Sequence, residues 1–166
     1  MDGIILTPLK RIHNSKGDIL HAMRISDHGF DGFGEAYFST VNKNDIKGWK
    51  KHTIMTLNLV VPIGAVEFVV YEEATQKFEA IKLSPSNYKR LTVKPNLWMA
   101  FRGCGEYNML LNLASKEHDP SEAVNIDIEA IKYGWENFNH RWFWLCRWSF
   151  GGKFSTSRIL SFTCFT

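Results

Sequence analysis

Residues 47–64 read KGWKKHTIMTLNLVVPIG, a lysine- and histidine-bearing segment that passes into an apolar strand and stops at Pro62 and Gly64. Alternation along a strand sends successive side chains to opposite faces. Read as one run, Met55, Leu57, Leu59 and Val61 share a face, and Lys50, His52, Thr56 and Asn58 share the other. A strand that is apolar on one side and polar, partly basic, on the other either shows its polar side to water or lines a cavity. The basic cluster at its start makes the cavity the sharper expectation; a solvated outer face is the alternative.

The rest of the chain supports a packed β protein. Its 166 residues are 45% hydrophobic and 14% aromatic, enough for one domain with a real core. Short apolar or alternating runs recur at 3–7, 19–24, 34–41, 52–61, 65–71, 78–83, 90–93, 98–102 and 109–114. Turn-forming clusters separate them, among them Asn14–Gly17, Asp27–Gly34, Asn42–Asp45 and Ser84–Asn87. Many short strands so spaced predict an antiparallel sandwich or barrel. Helical signal is confined to one turn from Pro120 and a short helical or extended piece at Ile126–Ile131.

The net charge of +3 is not spread evenly. From His140 onward there are four basic residues (Arg141, Arg147, Lys153, Arg158) and no acidic ones, which leaves the preceding body at −1. A basic excess held in one tail does not argue for nucleic-acid binding by the domain. No apolar run reaches the ~18 residues of a membrane span and no signal-peptide core opens the chain, so a cytoplasmic protein without membrane attachment is expected. Cys104, Cys146 and Cys164 are too widely spaced for a disulfide framework or a zinc motif. Residues 1–136 read as one β domain and 137–166 as an aromatic-rich extension. The extension holds eight aromatics from His140 to the end. It reads either as a hairpin that covers a sheet edge or dimer contact, or as an out-of-frame addition.

An ordered set of short pieces resembles the dTDP-4-dehydrorhamnose 3,5-epimerase family, and more closely its divergent epimerase-related branch. The pieces are residues 33–38 (FGEAYF), Lys47-Gly48-Trp49, the strand ending at Gly64, Leu83-Ser84 with Asn87, residues 97–101 (LWMAF), and Asp119-Pro120 with Glu122. The resemblance spans roughly residues 1–135. It implies an all-β, cupin-type jelly-roll barrel with short C-terminal helical or irregular segments. It also implies a homodimer, and a lumen that holds a nucleotide-linked keto-deoxysugar used in cell-surface polysaccharide biosynthesis.

The carry-over of the family's site residues is uneven. Active members have an Arg-Gly-x-His motif, in which the arginine holds phosphate and the histidine abstracts the proton; here the motif reads Lys47-Gly48-Trp49-Lys50. Lys47 can meet phosphate as a point charge, without bidentate geometry. Lys50 stands at the base position. His52 matches the second histidine of a His-x-His pair in the related dTDP-sugar 3,4-ketoisomerases. His52 and Lys50 are therefore the catalytic candidates. The family's catalytic lysine falls on Leu57 and its second histidine on Met99; its acidic tyrosine falls near Lys116. Candidate substrate contacts are Glu35, Lys47, Asn58, Trp98, Arg102 and Asn112. Asn58 and Asn112 interrupt apolar strands, so they either meet ligand or pair across the barrel. No cofactor is implied, and with only His52 on a plausible strand neither is a metal. His118-Asp119 reads as a turn and cap device before Pro120. A sugar-nucleotide isomerase or epimerase is the reading, with a non-catalytic sugar-binding cupin as the alternative.

Overall fold

The computed structural model describes residues 1–135. The chain divides into two compact units, Met1–Ile131 and Lys132–Thr166. Of the second, only residues 132–135 are described, with Tyr133 and Trp135 in an edge-to-face contact at 5.0 Å. The aromatic extension expected at 137–166 lies outside the described residues.

The first unit is two antiparallel five-stranded sheets packed face to face. One has the order β1-β9-β6-β11-β4, built from Ile4–Pro8, Lys89–Val93, Leu57–Ile63, Tyr107–Ala114 and Glu35–Asn42. The other has the order β12-β5-β10-β7-β8, built from Ala123–Asn125, Ile46–His52, Trp98–Gly103, Val66–Glu72 and Lys77–Leu83. A small ribbon of β2 (Arg11–Ile12) and β3 (Ile19–Leu20) stands apart. Single 3-10 turns occur at Pro120–Glu122 and Ile128–Ala130. This is the all-β jelly-roll that the resemblance implies, and among the described residues helical structure is confined to the two places where it was expected.

Alternation supplies the core. Leu57, Leu59 and Val61 from β6, Val66, Phe68 and Val70 from β7, and Leu91 and Val93 from β9 meet between the sheets and are almost fully buried. Each such side chain contributes roughly 1.5–3 kcal/mol by leaving water. The outer face of the first sheet is covered by the 21–34 loop. Arg90, fully buried, donates from Nη1 to the Ala22 carbonyl (3.0 Å) and Asp27 (2.9 Å), and from Nη2 to the His28 carbonyl (2.8 Å).

The single strand read across residues 52–61 is in fact two strands in different sheets. β5 ends at His52, the chain crosses at 53–56, and β6 begins at Leu57. The crossing is pinned on both sides. Thr53 donates from Oγ1 to the Glu122 carbonyl (2.8 Å), while Thr56 donates from N to Ser115 Oγ (2.9 Å) and from Oγ1 to Asp31 (2.7 Å). Such a crossing resets the phase of alternation. Lys50 and His52 therefore face the same interior as Leu57 and Leu59, and Thr56 and Asn58 face away from it.

Candidate active site

Between the sheets lies a cavity of about 300 Å³. One wall is β5 and β10, with Lys47, Lys50, His52, Met99 and Phe101; the other is β4, β6 and β11, with Tyr37, Ser39, Leu57, Leu59, Leu110 and Asn112. Asn125 and Ile126 complete the lining from the edge of the second sheet. Among the described residues the lining includes two lysines and a histidine but no carboxylate.

A bulge in β5 places the cations. Lys50 pairs with Met99 and Lys47 with Phe101, so Gly48 and Trp49 together oppose Ala100. The extra residue lets Lys47 and Lys50, three apart in sequence, face the same way. Gly48 is required there: its φ is +128°, and a Cβ would lie 2.7 Å from Ala100 Cα. Lys47 Nζ donates to the Thr40 carbonyl at 2.6 Å, which ties it to β4.

His52 has a buried partner. Its Nδ1 hydrogen-bonds the Glu122 carboxylate, and Glu122 also accepts from the backbone N–H of Thr53 (3.1 Å) and of Ile54 (3.3 Å). Glu122 is 6% exposed. Burial pushes its carboxyl up, but hydrogen bonds from His52, Ile54 and Thr53 outweigh this and hold it below the ordinary glutamate value. A carboxylate at Nδ1 fixes the imidazole with its proton on that nitrogen. The lone pair is then on Nε2, on a residue that lines the cavity, in position to accept a proton from a bound molecule. The two residues are brought together because β12 pairs with β5, Ala123 opposite His52, directly after the Pro120 turn. Asp119 caps that turn by accepting from Ser121 N at 2.8 Å, as read from the sequence.

Opposite His52, Asn112 donates from Nδ2 to the Tyr37 hydroxyl at 3.0 Å. Its Oδ1 is buried and has no protein partner among the described residues.

Of the candidate residues, His52, Lys50, Lys47 and Asn112 line one cavity. The others do not. Asn58 is buried on the reverse side of β6, accepting from Thr92 Oγ1 (2.7 Å) and donating to the Gly29 carbonyl (3.2 Å); it does not pair with Asn112. Trp98 and Arg102 sit on the outward face of β10, since Met99 and Phe101 take the inward one. There Trp98 Nε1 donates to Glu73 (3.3 Å) with Lys51 over its ring, and Arg102 pairs with buried Glu67 at 2.7 Å. Glu35 begins β4 on the face that carries Tyr37 and Ser39 but is not part of the cavity lining. Lys116 is exposed in the turn after β11, so the tyrosine at the cavity is Tyr37. Leu57 and Met99 do line it, as apolar wall.

Glu122, Tyr37, Ser39 and Asn125 were not among the predicted site residues. Alternation from Glu35 points to Tyr37 and Ser39, whereas nothing local couples residue 122 to residue 52.

No protein-family model and no curated protein matches the chain. Solved structures do. A dTDP sugar isomerase from Desulfovibrio desulfuricans G20 superposes with a TM-score of 0.77 at 28% identity, over 82% of this chain and 92% of that one. This is the fold of the dTDP-sugar isomerases and epimerases. Two further cupins of this kind share it at identities that speak to fold alone. The sugar 3,4-ketoisomerase QdtA from Thermoanaerobacterium thermosaccharolyticum, in complex with TDP, gives 0.67 at 22% over 75% of this chain and 88% of that. The 3'-monoepimerase ChmJ from Streptomyces bikiniensis, in complex with dTDP-quinovose, gives 0.72 at 14% over 82% and 76%. The dTDP-sugar cupin fold thus bears out the resemblance carried by the FGEAYF and LWMAF pieces.

Proposed function

We propose that the cavity binds a dTDP-linked keto-deoxysugar and that His52 removes a proton alpha to its ketone, making the protein an isomerase or epimerase of cell-surface polysaccharide biosynthesis. The observation that carries this is the His52–Glu122 pair, a carboxylate-oriented imidazole that opens into a ligand-sized cavity. A ketone acidifies the neighbouring C–H, and a positioned imidazole contributes about 10²–10⁴ in rate to such a transfer. Lys47 and Lys50 suit the charge of a sugar diphosphate and of the enolate. The unpartnered Asn112 Oδ1 is a ready acceptor for a ligand hydroxyl or N–H, since a buried acceptor left unpaired costs about 1–3 kcal/mol. The same reading takes the protein to be cytoplasmic and, as the family resemblance implies, homodimeric.

One observation favours a second reading. The positions that match the family's lysine and second histidine, Leu57 and Met99, are apolar wall in this cavity, which suits a cupin that binds the sugar nucleotide without turning it over.

Deuterium incorporation separates the two. With a dTDP-4-keto-6-deoxy sugar in heavy water, exchange at C3 or C5 above the buffer rate is expected, and its loss in His52→Ala. Saturable ligand shifts without exchange would replace the enzyme reading with the binding one.

A further inference from the structure

The geometry points to Lys50 as the residue that holds the enolate oxygen, with Lys47 left to the diphosphate; this rests on the proton-abstraction reading above. When the base takes the proton, the C–H pair becomes the new C=C bond. The carbonyl π pair then moves onto oxygen, so negative charge gathers two bonds from the carbon being deprotonated. The stabilising cation must therefore stand beside the base. Lys50 and His52 are two residues apart on β5 and line the same cavity, a separation of about 6.5–7 Å along the strand. Lys47, beyond the bulge, lies about four strand steps from His52, roughly 13 Å, and its Nζ is already engaged by the Thr40 carbonyl.

The cavity chemistry agrees. Among the described residues no carboxylate lines it to neutralise Lys50, and Glu122 spends its oxygens on His52, Thr53 and Ile54. On the facing strand the position that matches the family's lysine is Leu57, so β6 brings no cation to this end of the lumen. Lys50 fills that role from β5. For epimerisation, a proton delivered to the other face of the same carbon restores the carbonyl while His52 loses its proton to solvent, so the cycle consumes nothing.

The test separates ground-state binding from catalysis. Exchange kinetics on the dTDP-4-keto-6-deoxy sugar are measured for wild type, Lys50→Gln, Lys50→Arg and Lys47→Gln, with dTDP binding as the check on folding. Loss of one oxyanion donor lowers kcat about 10²–10³-fold. Lys50→Gln should show that loss with KM little changed and dTDP affinity retained, and Lys50→Arg should recover part of it. Lys47→Gln should instead raise KM and weaken dTDP. If wild type exchanges and Lys50→Gln keeps its kcat, or loses only KM, the role assigned to Lys50 is overturned and the enzyme reading stands. A wild type that binds but does not exchange removes both.

Discussion

Replacing Glu122 by Gln removes a charge from the site while keeping its shape, and the surrounding hydrogen bonds determine how the new amide will sit. Three donors converge on the native carboxylate: His52 Nδ1–H, Thr53 N–H and Ile54 N–H. An amide has one acceptor end. If its oxygen faces His52, its NH2 group confronts two backbone donors. If its oxygen faces the backbone, both of those bonds survive and NH2 faces His52. The second arrangement wins, and it forces Nδ1 to accept, which moves the imidazole proton to Nε2 and removes the base from the cavity. Exchange at the sugar should then fall by about 10²–10⁴, equivalent to about 2.7–5.4 kcal/mol in barrier. Stability should fall by about 1.5–3 kcal/mol, the worth of a hydrogen bond to a charged group. NMR-detected deuterium exchange gives the first quantity and urea unfolding the second, with dTDP titration to show that the cavity survives. Glu122→Asp, which keeps the charge on a shorter arm, should retain more activity than Gln. Exchange in Glu122→Gln within tenfold of wild type would refute the tautomer argument.

Two further outcomes test other parts of the structure. The Asp27 carboxyl is held low by the hydrogen bond from Arg90, and Glu122 is also depressed. A carboxylate lowered in the folded state contributes stability above its unfolded value, and that contribution is lost as pH falls through the folded value. The urea midpoint should therefore be flat from pH 7 to about 5 and drop below about 4, with a shallower drop in Asp27→Asn; an unchanged slope in that variant would break the link. Asn58→Leu should leave dTDP affinity alone while costing about 1–3 kcal/mol through the lost bonds to Thr92 and Gly29; weakened dTDP binding at unchanged stability would return Asn58 to the site.

Much of the barrel is legible in the chain because it rests on short-range physics. The short apolar runs at 66–71 and 109–114 and the turn chemistry at Asn42–Asp45 and Ser84–Asn87 specify strands and reversals locally, and the observed strands fall there. The same locality places the Asp119 cap and brings His52 and Lys50 onto one face, since residues two apart in a strand cannot do otherwise.

What the chain order alone leaves open are relations between strands. The 47–64 segment reads as one alternating run because nothing in TIMT announces a change of sheet; only the Glu122, Ser115 and Asp31 contacts turn it there, and with it the side that Asn58 faces. Asn58 and Asn112 are the same residue type in similar apolar strands, yet one is held by Gly29 and Thr92 and the other borders the cavity, because burial between sheets is settled by which strand lies beneath. Trp98 and Arg102 look like ligand residues until the register of β10 shows Met99 and Phe101 turned inward instead. Residue identity and spacing determined a β barrel with a histidine and lysines on one strand. Only the pairing of β12 with β5 decided that a glutamate 70 positions away would sit behind that histidine, and so make it a candidate base.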